Sequence, residues 1–403
     1  MAEFNFSLDD IAKLGFGNHS FSEGATGKNY AIGSSSNHIT NNVYGINHRQ
    51  TPLPIPMNKD HYGLTFFTRP QLNFQRANLK HSRIMHKLLT TNSMSTHRVI
   101  RCTLDPRLHG GGYKGFNNDN HDDGNDNSVT CPLLDPEMAF IPILTNSLNT
   151  ISGWKDVVSQ TFNSKPGVYR EEYSMVDGVT IDYSAYDLTA SFRNSRGDII
   201  TSMFYYWAHY QSLVFEGTLV PYPDFIVENE IDYNTRIYRL TLDPSKTKVQ
   251  HMAACGAAFP IAAPVGGIFD YSNDKPYNDV NSDIQIPFRA MGFICDDDIL
   301  IRAFNQTVGA FKKEMYTDRA DTPPGSQMKK IPMNLLTLFN NRGYPRIDPS
   351  TYELEWYIDT NIYEAKMQAL STFDQMVDNV LGINARDNDE EEQGAKDFDR
   401  FIT

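Results

Sequence analysis

A chain of 403 residues, 40% hydrophobic and 12% aromatic with 21 Tyr and 24 Phe, holds enough packing side chains for two or three domains and excludes a disordered middle. Its formal net charge of −13, from 36 Lys and Arg against 49 Asp and Glu, removes the electrostatic drive to hold a phosphate backbone, so no specific nucleic-acid partner is expected. No apolar run approaches the ~20 residues of a membrane span, and residues 1–27 have neither the basic start nor the apolar stretch of a secretory signal, which predicts a soluble protein made in a cytoplasm.

Residues 1–60 are rich in Asn, Ser, Gly and His and offer few apolar groups to offset ordering, so they read as an extended arm that orders against a neighbour. The segment 61–138 opens with an aromatic strand, HYGLTFFTRPQLNF, interrupted at Arg69-Pro70, and continues through a short helix before Arg98. Leu108 to Val129 is Gly, Asn and Asp almost throughout, the composition of a long exposed loop.

The segment 139–320 carries the clearest patterning. From Met175 to Tyr183, Val179, Ile181 and Tyr183 alternate with Thr180 and Asp182, predicting a half-buried strand. The phase flips after Ser184-Ala185, which predicts a bulge or turn, and Tyr186, Leu188, Ala190 and Phe192 then face inward. A turn at Asn194 to Gly197 leads into a helix started by Asp198, with Ile199, Ile200, Met203, Tyr206, Trp207, Tyr210, Leu213 and Val214 at helical spacing. Arg236 to Leu242 predicts a strand, Cys255 to Gly267 is small and Pro-containing, and Ile284, Ile286, Phe288 and Ala290 alternate again. Asp296, Asp297 and Asp298 precede a helix that ends at Lys312-Lys313, placing charge as the helix dipole favours. After the turn-rich DTPPGS, the segment 321–403 reads as a helical extension along Ile362 to Val380 with an acidic tail.

No chemistry-bearing motif emerges. Asp119, His121, Asp123 and Gly124 imitate a calcium loop, but His stands at the second ligand and Thr130 replaces the bidentate Glu. The three consecutive aspartates point in different directions on a helix turn and read as a cap rather than a metal cluster. Cys102, Cys131, Cys255 and Cys295 form no CxxC pair and read as buried free thiols. Gly110 to Gly112 and Gly266-Gly267 lack the setting of a phosphate loop, and His209 and His251 accompany no nucleophile motif. No residue is therefore assigned as catalytic, cofactor-binding or metal-ligating, and no cofactor or enzymatic activity is expected.

His61 to Phe74 and the run FYYWAHYQSLVFEGTLVPYPDFIVENEIDYNTRIYRL (Phe204 to Leu240) resemble segments of virion structural proteins of large contractile-tailed bacteriophages. From 139 to 316 the order of elements resembles the tube-like domain of tail-tube initiator proteins, which cap the baseplate hub. These elements are strands with a bulge, an Arg-Gly-Asp turn into an aromatic helix, a return strand, then DIQIPFRAMGFICDDDILIRAFN. The resemblance implies an α+β fold, with a β-rich tail-tube-like barrel or sandwich domain, a flanking helix, an extended N-terminal arm and a helical C-terminal part. It also implies a homo-oligomer, a hexameric ring around a lumen in the virion tail, assembled in the host cytoplasm. The partners it implies are tail tube, baseplate hub, wedge and tape-measure proteins. The alternatives are a wedge, neck or tail-terminator position, or a glycan-binding or hydrolase module on the baseplate.

Overall fold

The computed structural model describes residues 62–108, 131–178, 183–195, 197–243, 245–269, 273–274, 282–317, 322–340 and 342–381. The arm at 1–60, most of the Gly/Asn/Asp loop with the calcium-like residues, and the acidic tail lie outside them.

Strand β1 (Tyr62–Phe67) is followed by helix α1 (Arg76–Leu79), a 3-10 turn (Met85–Leu89), α2 (Thr96–Leu104) and α3 (Pro142–Ser147). Next come β2 (Leu148–Ser152), a hairpin of β3 (Thr161–Asn163) and β4 (Ser174–Val176), β5 (Tyr186–Arg193), α4 (Ile199–Phe215) and α5 (Pro223–Glu228). Then follow β6 (Ile237–Leu242), β7 (Val249–Pro260), α6 (Gly266–Phe269), β8 (Asp283–Cys295) and α7 (Asp298–Phe311). The C-terminal part holds β9 (Met328–Ile331), β10 (Tyr344–Ile347), β11 (Leu354–Asp359) and α8 (Thr360–Leu381).

Six strands form one antiparallel sheet in the order β1-β6-β7-β8-β5-β2. The α+β architecture agrees with expectation, but the sheet is open and not a closed barrel. Where a barrel would pair β1 with β2, Ile141 donates its N–H to Phe67 O at 2.9 Å, and α3 then contacts both β1 and β5.

Alternation in the strands divides the interior into two cores. On one face Phe67, Leu188, Ala190, Phe192, Ile284, Ile286 and Phe288 pack against α4, whose Ile200, Met203, Phe204, Trp207 and Tyr210 lie at helical spacing and are buried. Trp207 satisfies its indole by donating to Tyr233 O at 2.9 Å. On the other face Phe66, Tyr238, Leu240, Met252 and Ala254 meet α7 and the small sheet β10-β11-β9. Phe304 of α7 is fully buried, stacked on Phe140 at 5.1 Å and edge-on to Phe66 and Tyr238, a burial that contributes roughly 1.5–3 kcal/mol.

The long strands β7 and β8 pass from one core to the other. Ala254 and Ile294 face the second core, whereas Cys255, Ala258, Ala290 and Phe293 face the first, so both strands change phase around Gly256 and Gly292. Gly292 has φ +71, a region that costs an L-residue about 1–2 kcal/mol. Gly292→Ala is therefore expected to lower stability by about that amount in chemical denaturation. Gly256→Ala has no positive φ and would meet its neighbours no closer than 3.5 Å, so it should cost less; equal costs would sink this account of the kink.

Several expectations are corrected. Of the strand predicted from Met175 to Tyr183, the described residues form strand at Ser174–Val176, exposed throughout, with no described layer beneath it; Val179 and Ile181 lie outside the described residues. Residues 183–185, where a bulge or turn was expected, lie in no strand, and β5 begins at Tyr186. Asp198 adopts φ 48 and accepts from Asn194 Nδ2 at 2.7 Å instead of capping α4. Cys255 to Pro260, the first part of the small, Pro-containing stretch, completes β7. Only Asp297 caps α7, accepting from Ile299 N–H at 3.0 Å, while Asp296 accepts from Met252 N–H at 2.8 Å. The C-terminal part adds three strands before its helix.

Candidate assembly surfaces

The buried polar groups tie segments together and leave little chemistry exposed. Asp105, fully buried at the end of α2, accepts from Phe74 N–H and Tyr222 OH, both at 2.8 Å. Asp232 accepts a short bond from Tyr210 OH, which in turn receives Asn73 N–H at 3.2 Å. Burial pushes both carboxyls up to about 6, against the opposing pull of their tyrosine hydrogen bonds. Nearby, Asn73 and Asn78 donate to Val220 O at 2.9 and 3.0 Å, and Val220 N–H returns a bond to Asn78 at 3.1 Å, clamping the chain after α4.

Lys312 reaches Glu137 at 2.7 Å and Asp359 at 2.9 Å, joining α7 to β11 and to the segment before α3. Burial alone would lower its ammonium, but these carboxylate bonds hold it above the ordinary range. Its role is this clasp and not the dipole partnership expected at the helix end. Burial pushes the Cys255 thiol up to about 11 and Cys102 up to about 12, which makes both poor nucleophiles; Cys295, expected to be buried like the others, is exposed at the end of β8. Among the described residues no group of three His, Cys, Asp or Glu is placed to hold a metal. His251 pairs with Asp296 at 2.8 Å on the surface, and His209 packs on Tyr205 at 4.4 Å between ring centres.

Among the described residues, three surfaces remain unmatched. The first is the outer face of β5 and β8, where no described layer covers Asp187, Thr189, Arg193, Asp283 and Gln285, all exposed. Register sets Asp187 opposite Arg289 and Arg193 opposite Asp283, so two acids face two bases and the surface is polar but neutral; the first pair closes at 2.8 Å.

The second is the sheet edge at β2, whose outer side pairs with no described strand. Growing from that edge is the third, the β3–β4 hairpin. Val157, Val158, Phe162, Tyr173 and Val176 are exposed on it, and Val168 and Tyr169 at its tip are 93% and 91% exposed. A hairpin with both faces in water is marginal by itself, and apolar side chains so displayed mark a contact surface. The alternation from Met175 onward hinted at this element, although a partner outside the chain cannot be told from a core by alternation alone.

The sequence matches the family described as "Putative phage tail tube protein" over residues 20–373. It matches no curated protein. Similar solved structures include the cap that terminates the tube of the anti-feeding prophage, at 15% identity and a TM-score of 0.24 over 39% of this chain and 82% of that one. They also include the sheath/tube terminator of an extracellular contractile injection system in the extended state, at 13% identity and 0.22 over 39% and 87%. A third is the extended sheath–tube complex of such a system, at 14% identity and 0.22 over 39% and 82%. With the family match running through the sheet, both cores and most of the C-terminal part, this chain belongs to the phage tail tube protein family and is a structural component of the tail.

Proposed function

We propose that this protein forms a ring of identical copies around a lumen at the junction of tail tube and baseplate, as a tube initiator, and acts by assembly without chemistry. The observation that carries the reading is the uncovered face of β5 and β8. A surface whose acids and bases cancel in cross-strand pairs is suited to a passage that must not hold what moves through it, and the net charge of −13 adds mild repulsion toward DNA. The open β2 edge beside it is suited to strand addition between copies, and contact between unlike surfaces closes rings. Tail tube, baseplate hub or wedge, and tape-measure proteins are the proposed neighbours. The family match itself favours a second position in the same tail, the repeated subunit of the tube shaft.

Cryo-electron microscopy of the intact particle tests this. The expected result is one closed ring of about six copies below the tube, with β5 and β8 facing the lumen. Many stacked rings would assign the chain to the shaft instead, and a peripheral position with that face turned outward would overturn the reading.

A further inference from the structure

The layer over the first core is sharply set apart by charge. Between 61 and 104 no Asp or Glu occurs, although the whole sequence holds 49. Around α1 and the 3-10 turn that follows it, Leu79, Met85 and Leu88 are fully buried in the first core. Lys80, His81, Arg83, His86 and Lys87 point the other way and are all exposed. Local bonds hold this basic face in place before any partner arrives. Asn78 Nδ2 donates to Asn73 O at 2.9 Å and to Val220 O at 3.0 Å, and a terminal nitrogen of Arg98 donates to Thr90 O at 2.8 Å. Among the described residues, Lys80, Arg83 and Lys87 pair with no carboxylate. Of the acids on nearby segments, Asp105 is buried against Tyr222 and Asp224 is held by Arg107 at 2.9 Å, which leaves Glu216 at the end of α4 exposed.

The opposite charge lies at the other end of the sequence. Asp387, Asp389, Glu390, Glu391 and Glu392 fall within six consecutive positions, and residues 382–403 hold seven acids against three Lys and Arg. Helix α8 leads into that segment. Its first turn rests on the small sheet, where Tyr363 stacks on Phe339 at 5.4 Å, and none of its described side chains is buried. Its 22 residues span about 33 Å. The small sheet belongs to the second core, whereas the basic face covers the first, on the opposite side of the six-stranded sheet. A tail lying on its own basic face therefore has to pass round the sheet, and a tail lying on a neighbour does not.

We infer that the acidic segment 387–392 of one copy docks on the basic face of α1 and the following 3-10 turn of a second copy, its carboxylates meeting Lys80, Arg83 and Lys87. Every copy brings both halves of the contact, one acidic tail for each basic face, and their charges are opposite. Within an assembly the tail is tethered, so it meets the basic face at a high effective concentration. A long external polyanion such as DNA has no such tether and is repelled by the net charge of −13. The inference rests on the ring-forming reading only in taking a second copy as the partner.

The test couples lysines to carboxylates directly. Full-length protein made with light and with heavy nitrogen is mixed, assembled, treated with a carbodiimide and digested for mass spectrometry. The expected products join Lys80 or Lys87 to the segment 387–392, with one peptide light and the other heavy. Arg83→Glu with His86→Glu is expected to lower their yield about tenfold, and Asp387→Lys with Asp389→Lys, which leaves Glu390, Glu391 and Glu392 to couple, to recover part of it. Unchanged melting temperatures confirm that the first pair folds, since Arg83 and His86 are exposed. Crosslinks within one isotope alone would place the tail on its own copy and overturn the docking. Rings seen by electron microscopy without these crosslinks, or lysines shielded from acetylation by added duplex DNA and not by assembly, would overturn it too and leave the ring reading standing. A full-length chain that stays monomeric at every concentration would overturn both.

Discussion

Replacing Arg69 with methionine is expected to remove about 3–5 kcal/mol of stability, seen as a lower denaturation midpoint with the slope unchanged. Arg69 is 3% exposed and lies just past β1, where three segments converge. Its guanidinium donates from Nε to Thr103 O at 3.0 Å and from one terminal nitrogen to Pro136 O and Met138 O, both at 3.1 Å. The other nitrogen makes a short bond to Cys102 O. Methionine fills a similar volume but takes the guanidinium donors away from those carbonyls in a buried site. The charge is not free to keep: burial pulls the guanidinium down to about 10, which sets the gross gain against a desolvation cost. Lysine, with one compact donor group, should recover only part of the loss because it cannot reach carbonyls on both sides. A loss below about 1 kcal/mol for Arg69→Met would mean that the clasp is replaceable by water and does not join the segments.

Arg69 also marks where the sequence is hard to read. An Arg-Pro pair after an aromatic strand reads as an interruption, and nothing in the local pattern says that the arginine turns inward. By contrast, β5, α4 and the first half of β8 were legible because their alternation and helical spacing continue into the cores: Leu188, Ala190, Phe192, Trp207, Tyr210, Ile286 and Phe288 are all fully buried. The second half of β7 was hidden because Ala, Gly and Cys give little periodic contrast and the phase changes near Gly256. Strands β9 to β11 were hidden for another reason. They are short, β10 contains Pro345, and their inward groups include Arg346 and Glu355, buried as an ion pair at 3.4 Å. Of the assembly surfaces, the outward residues of β5 could be read as the polar half of an alternation. That no described layer covers them is a property of topology, set by where α3 and α4 pack.

Acidification from pH 7.5 to 5 is expected to stabilise the protein, against the usual trend for carboxylates that are paired in the folded state. Asp105 and Asp232 have folded-state values raised to about 6 from 3.8, so the folded chain holds these protons more tightly than the unfolded one. A raised folded value means stability that is fully present below the unfolded value and is lost as pH rises through about 6. Between pH 7.5 and 5 each group contributes about 1.4 kcal/mol, or roughly 2–3 kcal/mol together after allowance for their proximity. The charges facing them are Arg101 and Arg107, too few to outweigh burial, with Tyr210 and Tyr222 as the direct donors. His97 works the other way in the same window, since burial and Lys87 hold it below its ordinary value and its protonation favours unfolding. The effect is therefore read as a difference. Asp232→Asn keeps an acceptor oxygen for Tyr210 and removes one titration, so about half of the acid gain should disappear from its denaturation curves. If the wild type loses stability across this window, or if Asp232→Asn gains as much as the wild type, the two carboxyls are ionised at little cost, and the buried tyrosine-carboxylate network does not set the acid response.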